Sequence, residues 1–239
     1  LRHEKDRSDA LLLNILPAET ANELKETGYA SVRYYDRVSV LFTDFVGFTN
    51  ITEGISHEQL VQSLDEHFRM FDEVMDKYRI EKIKTIGDAY MAAGGIPTKN
   101  DTNPLFVVAA GLEMVHRLAK INLQKEHDGE KPWKLRAGIH TGSVVSGVVG
   151  KNKFAFDIWG DAVNTAARME SSGDVMKVNI SGSTYHLIKD YFDCTPRGKI
   201  KAKNKGEIEM YFVDGLKPEF CDNGETSVPN ARFMSLISK

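Results

Sequence analysis

The chain has 239 residues, a hydrophobic fraction of 41% and a charged fraction of 27%, values that are ordinary for a soluble globular protein with one substantial domain. Its net charge of −3 gives no indication of nucleic-acid binding, which favours a basic surface. The two cysteines have neither the number nor the spacing of a disulfide framework or a zinc site, so we expect a reducing, cytoplasmic compartment. No stretch approaches the roughly 18 apolar residues of a membrane span. Because the chain begins at Leu1 rather than Met, we expect a longer protein with an upstream regulatory module, for which a membrane anchor is one option.

The first 28 residues differ in pattern from the rest of the chain. They are charged and then leucine-rich, with apolar residues at roughly heptad spacing up to Ile15, and Pro17 interrupts this pattern. A short helix follows, which Gly28 can end. Two interpretations stay open: a surface helix packed on its own domain, and a parallel helical connector between two protomers, which we favour. The predicted divisions are a connector at 1–28, a main domain at 29–215 and a polar, loosely held tail at 216–239.

From Val38 onward, strands alternate with helices. The predicted elements are the strand Val38–Thr43, a helix from the N-cap Ser56 to Tyr78, a hairpin of Ile80–Ile86 and Ala89–Gly94, a helix from Asn103 or Pro104 to about Ala119, a polar loop over 122–132, a strand pair Leu135–His140 and Val144–Val149 around Gly142, the helix Asp161–Glu170, a short helix after Ser181, and a hairpin of Tyr191–Ile200 and Ile208–Val213. Helices interleaved with strands that are partly joined by hairpins favour a mixed α/β sandwich of the α+β type over a doubly wound parallel sheet.

Two aspartates stand at the ends of apolar strands. Asp44 follows the run VSVLFT, and Asp88 lies in the turn of IKTIGDAYM. Hard cations such as Mg²⁺ prefer oxygen ligands and take one or two protein carboxylates, so two aspartates on neighbouring strands can bridge a pair of ions. Either residue alone would be more typical of a turn cap. Together, at the ends of two apolar strands, they favour a metal site.

Two further features are suited to phosphate and sugar. The turn Phe45–Thr49 offers backbone N–H groups around Gly47, although it lacks the Walker pattern. Asn164 and Arg168 are four residues apart and so share one helix face. Arg168 is suited to phosphate oxygens and Asn164 to a sugar oxygen, but an exposed helix face would explain the same pair.

Lys84 and Asp157 would distinguish adenine from guanine if they met in one pocket. Adenine presents a ring acceptor at N1 and an amino donor at N6, which a lysine and a carboxylate can pair. Guanine reverses both groups, with a ring N–H and a carbonyl. Unpaired buried polar groups cost roughly 1–3 kcal/mol each, so such a pair would discriminate strongly. Nothing in the sequence pattern shows that the two side chains meet.

Four ordered motifs, FTDFVGFT, KIKTIGDAYMA, GIHTGSVVSGVVG and FDIWGDAVNTAARM, closely resemble the catalytic domain of the class III nucleotidyl cyclases over about Val38 to Val213. The resemblance implies a ferredoxin-like α/β core that pairs head to tail, with nucleotide sites at the dimer interface. The N-terminal segment that contains ILP also resembles the connector that precedes many such domains.

The resemblance also implies the roles of individual residues. Asp44, Asp88 and the backbone carbonyl of Phe45 would hold two Mg²⁺ ions, for which Mn²⁺ substitutes. The partner chain would supply Lys84 and Asp157 to the base, Asn164 to the ribose and Arg168 to the charge that develops at the α-phosphate. The other implied substrate-binding positions are Val46, Gly47, Phe48, Thr49, Gly87, Ile158, Trp159 and, at the basic hairpin tip, Lys203, with Lys201 and Lys205 as alternatives.

The prediction is therefore an adenylyl cyclase that converts ATP to 3′,5′-cyclic AMP and pyrophosphate for second-messenger signalling. Both halves of the site lie in this chain, which predicts a homodimer. Lys84 and Asp157 match the adenylyl pattern, whereas guanylyl members carry a glutamate and usually a cysteine there. The alternatives are a guanylyl cyclase, a catalytically silent nucleotide-binding dimerisation module, and a two-metal nuclease or polymerase-like palm domain. The complete site set disfavours the silent module, and the absence of a basic charge balance disfavours the nuclease.

Overall fold

A large sheet with helices on both faces forms the centre of the computed structural model, which describes residues 7, 10–48, 55–150, 153–202 and 206–238. The elements in chain order are α1 (Ala18–Thr27), β1 (Arg33–Phe45), α2 (His57–Tyr78), β2 (Glu81–Ile86), β3 (Ala89–Gly94), α3 (Asn103–His127), β4 (Leu135–Val149), β5 (Ala155–Trp159), α4 (Asp161–Ser171), β6 (Val178–Ser181), α5 (Gly182–Ile188), β7 (Phe192–Ala202), β8 (Gly206–Leu216), β9 (Cys221–Asp222), β10 (Glu225–Pro229) and α6 (Ala231–Met234). None of these helices is long and apolar enough to cross a membrane.

The sheet is mixed. Its strand order is β2-β3-β1-β4-β6-β8-β7, and β5 pairs with β4 beside this path. Every neighbouring pair is antiparallel except β4 and β6, which run parallel. Strands β9 and β10 form a separate two-stranded sheet.

The two faces of the sheet carry different helices because side chains along a strand alternate between faces. In β1, Leu41 and Phe45 pack into a large apolar cluster with α2 and α3. Val38 and Val40 pack into a smaller cluster with residues of α1, β5 and α4. Phe42 also packs against the smaller cluster, and Asp44 lies two residues beyond it on the same side. The fold therefore directs Asp44 towards the face that carries α4.

Several predicted elements are confirmed, together with the local signals that specify them. Ser56 forms a capping box with Gln59 at the start of α2. Strands β2 and β3 form the predicted hairpin. The hydroxyl of Ser181 accepts a hydrogen bond from the N–H of Thr184 and begins α5.

The predicted strand pair around Gly142 is wrong, since β4 runs continuously through that residue. Strand β1 pairs with β4 on both sides of it, through Ser39 opposite Thr141 and Tyr35 opposite Val144. A Cβ atom at Gly142 would lie 3.0 Å from the Cβ of Ala162 on α4. The glycine therefore permits close packing of a helix and does not form a turn. The hairpin partner of β4 is instead β5, which the pattern did not predict.

Two other predictions need correction. Helix α3 runs to His127, so the first part of the predicted polar loop is helical; Leu, Gln, Lys and Glu are good helix formers, which explains the extension. The segment after 216 is not loosely held. Phe233 is fully buried and packs edge-on against Phe106 and Phe192. Two or three aromatic side chains are enough to fix a short segment that is otherwise polar.

Glu81, the first residue of β2, is a partly buried acid near Asp76. Burial, followed by the negative charge of Asp76, raises the pKa of the Glu81 carboxyl from 4.5 to about 7. The folded chain then holds this proton more tightly than the unfolded chain, so the contribution of Glu81 to stability is most favourable below pH 4.5 and is lost as the pH rises towards 7. Above pH 7 this pKa shift corresponds to a loss of roughly 3 kcal/mol in the free energy of unfolding. Because Glu81 is partly exposed to solvent, we reduce this loss to roughly 1–2 kcal/mol.

We therefore expect Glu81→Gln to raise the free energy of unfolding by about 1–2 kcal/mol at pH 8, and by less than half of that at pH 5. Urea denaturation at the two pH values measures the difference. The exposed residue Glu126 provides the control, because Glu126→Gln should change little at either pH. An equal gain from Glu81→Gln at both pH values would contradict the explanation.

Candidate active site

The structure brings Asp44 and Asp88 together at one end of the sheet. Thr43 in β1 pairs with Tyr90 in β3, so the end of β1 lies beside the turn that carries Asp88. Gly87 in this turn has a φ of 62°, a conformation that favours glycine. Burial raises the pKa of the Asp88 carboxyl, and the charge of Asp44 and a hydrogen bond with it act in the same direction. The two carboxylates are therefore close neighbours.

This pair of acids suits a hard divalent cation. Two carboxylates held together oppose each other's ionisation, and a cation between them relieves the repulsion. Mg²⁺ takes one or two protein carboxylates and leaves its other positions to water and phosphate. No group of three or more His, Cys, Asp or Glu residues suited to a metal occurs in the described ranges. Asp44 and Asp88 themselves offer carboxylate oxygens, the ligand type that Mg²⁺ prefers.

Arg136 and Glu170 extend this acidic site, and neither is among the site residues expected from the sequence. Arg136 lies opposite Asp44 in the β1–β4 pairing, and its Nη2 is 3.2 Å from Asp44 Oδ2. Its Nε donates to Glu170 Oε1 on α4 at 2.9 Å. Burial raises the pKa of the Glu170 carboxyl, while Arg136 opposes that rise. The only available signal was the position of Arg136 at the start of a strand that pairs with β1.

The turn after β1 is fixed by aromatic packing. The ring of Phe45 lies edge-on to Trp133 at 4.8 Å between centroids, and Phe48 lies 6.0 Å from the same ring. Gly47 has a φ of 71°, which a glycine adopts without strain. The N–H of Val46 donates to the carbonyl of Lys134 at 2.7 Å, which ties the turn to the residue before β4. Thr49 lies outside the described residues.

Lys84 and Asp157 meet in an ion pair between Lys84 Nζ and Asp157 Oδ2. Lys84 lies in β2 and Asp157 in β5, and these two strands lie against each other. The Oδ1 atom of Asp157 accepts the N–H of Ile158 at 2.9 Å, which fixes the carboxylate. Ile158 is buried and Trp159 is exposed beside it. A donor and an acceptor therefore stand side by side, next to an exposed indole ring.

Asn164 and Arg168 lie on α4, which packs directly on the sheet. A Cβ atom at Gly138 of β4 would lie only 1.8 Å from the backbone N of Glu170, so helix and strand are in backbone contact. Asn164 is exposed, and Arg168 Nη1 donates to the carbonyl of Lys201 in β7 at 3.3 Å. This contact brings Arg168 to the end of β7 that leads into the basic tip of the β7–β8 hairpin. Lys203 and Lys205, at the hairpin tip, lie outside the described residues.

The two acids Asp44 and Asp88 and the pair of Lys84 and Asp157 form separate groups. Within the ranges that the structure describes, no hydrogen bond or ion pair joins Asp44 or Asp88 to Lys84 or Asp157. The acidic group lies at the ends of β1 and the β2–β3 turn, whereas the Lys84–Asp157 pair lies between β2 and β5.

Residues 30–215 match the family described as the adenylate and guanylate cyclase catalytic domain, and the chain belongs to that family. The resemblance seen in the motifs is thus confirmed.

Both kinds of cyclase are among the similar proteins. An adenylate cyclase of Mycobacterium tuberculosis is 40% identical over 223 residues, which cover 93% of this chain and 49% of the relative. The receptor-type guanylate cyclase gcy-28 of Caenorhabditis elegans is 35% identical over 225 residues, covering 93% of this chain and 18% of the relative. The chain thus spans about half the length of the first relative and less than a fifth of the second.

Solved structures confirm the predicted α+β fold. The adenylyl cyclase CyaB from P. aeruginosa is similar with a TM-score of 0.74 and 28% identity, covering 79% of this chain and 98% of that one. The guanylate cyclase domain of RhGC from Catenaria anguillulae, solved in complex with GTP, has a TM-score of 0.72 and 29% identity. This match covers 77% of this chain and 100% of that one.

Proposed function

We propose that the chain is an adenylyl cyclase catalytic domain, which converts ATP to 3′,5′-cyclic AMP and pyrophosphate. The observation that carries this proposal is the contact between Lys84 and Asp157. The ammonium can donate to N1 of adenine while the adjacent carboxylate accepts from its amino group. Guanine would face donor with donor and acceptor with acceptor, at roughly 1–3 kcal/mol for each buried group left unpaired.

The acids Asp44 and Asp88, with the backbone carbonyl of Phe45, are proposed to hold two Mg²⁺ ions, for which Mn²⁺ substitutes. Domains of this family use divalent metals, and the close pair of carboxylates fits them. Bound there, the ions would supply Lewis acidity at the ribose 3′-hydroxyl and screen the triphosphate. The packing of Phe45 against Trp133 keeps its backbone in place for this role.

A homodimer with shared sites is proposed because this chain carries both groups, which no described contact joins, and because related cyclase domains are dimeric. One nucleotide would contact the acids of one chain, and the Lys84–Asp157 pair, Asn164 and Arg168 of its partner. Asn164 is assigned to the ribose and Arg168 to the charge that develops at the α-phosphate. The other proposed substrate contacts are Val46, Gly47, Phe48, Thr49, Gly87, Ile158, Trp159 and Lys203.

The N-terminal segment is proposed to connect this domain to an upstream regulatory or membrane module. Leu16 and Ala21 are buried on the α4 face, while Leu13 and Ile15 are exposed. The segment therefore packs on its own domain and also presents apolar side chains that a second protomer can cover. In this proposal the module upstream would control cyclic AMP production for signalling.

Purified protein should be supplied with ATP and GTP in parallel, with Mg²⁺ or Mn²⁺, at several protein concentrations. We expect cyclic AMP from ATP, little product from GTP, and a specific activity that rises with protein concentration because the site needs two chains. Cyclic GMP formed as readily as cyclic AMP would contradict the assignment of Lys84 and Asp157. No product from either nucleotide, with dimers present, would favour the silent nucleotide-binding module.

A further inference from the structure

Three charged side chains connect the metal end of the site to α4. Asp44 Oδ2 lies 3.2 Å from Arg136 Nη2, and Arg136 Nε donates to Glu170 Oε1 at 2.9 Å. The exposed fractions of these side chains are 30%, 28% and 13% for Asp44, Arg136 and Glu170. One guanidinium therefore holds two carboxylates that come from different elements, and limited solvent access strengthens both contacts.

The turn of α4 around Glu170 packs directly on the sheet. A Cβ at Gly138 would lie 1.8 Å from the backbone N of Glu170, so α4 rests directly on β4 at this point. One residue earlier, the carbonyl of Met169 accepts a hydrogen bond from Asn179 Nδ2 on β6 at 2.7 Å. Glu170 follows Arg168 by two residues on the same helix. The Arg136–Glu170 contact therefore adds a side-chain link between β4 and the turn of α4 that carries Arg168.

In the proposed homodimer, on which this inference rests, Asp44 and Arg168 of one chain serve different nucleotides. The contacts from Asp44 through Arg136 to Glu170 then run between the two active sites inside each protomer. We propose that Glu170 is a positioning residue for both sites, which holds Asp44 through Arg136 in one site and orients Arg168 through α4 in the other. The two sites are thereby coupled through each chain.

Removing the charge of Glu170 should affect the two sites differently. Without its second carboxylate, Arg136 would pair more closely with Asp44 and compete with a cation for it. The site that uses this Asp44 should then need more metal. In the other site, α4 would lose a contact beside Arg168, so turnover should fall while the metal requirement stays the same.

Heterodimers can separate these effects. A dimer of one Asp44→Ala chain and one Arg168→Ala chain has a single intact site, whose Asp44 comes from the Arg168→Ala chain and whose Arg168 comes from the Asp44→Ala chain. With Glu170→Gln in the Arg168→Ala chain, we expect the Mn²⁺ concentration for half-maximal activity to rise about tenfold. With Glu170→Gln in the Asp44→Ala chain, kcat should fall about tenfold at unchanged half-maximal Mn²⁺.

A binding measurement supports the kinetic one. Electron paramagnetic resonance of Mn²⁺, titrated into the Glu170→Gln homodimer with a non-cyclising ATP analogue, should show weaker metal binding than in the wild-type protein. The exposed-residue variant Glu126→Gln should match the wild type. Equal effects of Glu170→Gln in either chain of the heterodimer, or unchanged Mn²⁺ binding, would overturn the inference and leave the proposed function intact. A mixture with no activity before Glu170 is changed would instead overturn the shared site, and this inference with it.

Discussion

The double variant Lys84→Glu/Asp157→Cys should change the preferred nucleotide from ATP to GTP. In the structure these two side chains are in contact, so both face the same part of a bound base. A glutamate accepts from the ring N–H and amino group of guanine, and a thiol can donate to its carbonyl. Two mismatched groups at roughly 1–3 kcal/mol each give a change in relative kcat/KM of about 100-fold or more. Parallel measurement of kcat/KM for ATP and GTP tests this expectation.

The single variant Lys84→Glu is the control for this exchange. It places a second carboxylate beside Asp157 and leaves both groups without a cation, so activity with either nucleotide should be poor. A double variant that still prefers ATP, while folding and dimerising normally, would show that Lys84 and Asp157 do not contact the base.

The variant Gly138→Ala should lower activity by about 100-fold or more. The added methyl group would lie 1.8 Å from the backbone N of Glu170, and neither backbone can yield without moving α4 from the sheet. Because α4 carries both Asn164 and Arg168, the displacement reaches the ribose and phosphate contacts together. Overpacking at such a contact also lowers the free energy of unfolding by about 1–3 kcal/mol. Cyclase activity per folded chain and chemical denaturation measure the two effects separately.

Gly111→Ala supplies a matched control in α3. Its Cβ would lie 3.4 Å from the Cδ1 of Ile139, a distance at which the flexible side chain can adjust, and alanine favours the helix. Gly111→Ala should therefore leave activity within a few-fold of wild type. Wild-type activity and stability in Gly138→Ala would contradict the backbone contact between α4 and β4.

Local signals in the sequence predicted much of the fold. Ser56 and Ser181 begin helices because each hydroxyl accepts a hydrogen bond from a backbone N–H in the first turn. The apolar run of β1 predicted a buried strand. Gly142 was misinterpreted because a glycine needed for helix packing looks the same in sequence as a glycine needed for a turn.

The site depended on contacts that are distant in sequence. Lys84 and Asp157 are 73 positions apart and meet because β5, which pairs with β4, lies against β2. Arg136 and Glu170 were missed for the same reason, since their contact exists only once α4 packs on β4. The periodicity of apolar residues identifies helices and strands, whereas contacts between side chains far apart in sequence depend on how those elements pack.

The central claim, a site shared between two identical chains, is tested most directly by mixing Asp44→Ala and Arg168→Ala proteins. Each variant alone should be nearly inactive, since both of its sites lack one required group. After subunit exchange in an equal mixture, half of the dimers have one intact site, so activity should recover to about a quarter of the wild-type value. No recovery, with exchange demonstrated by differently labelled chains, would show that each chain builds its site alone.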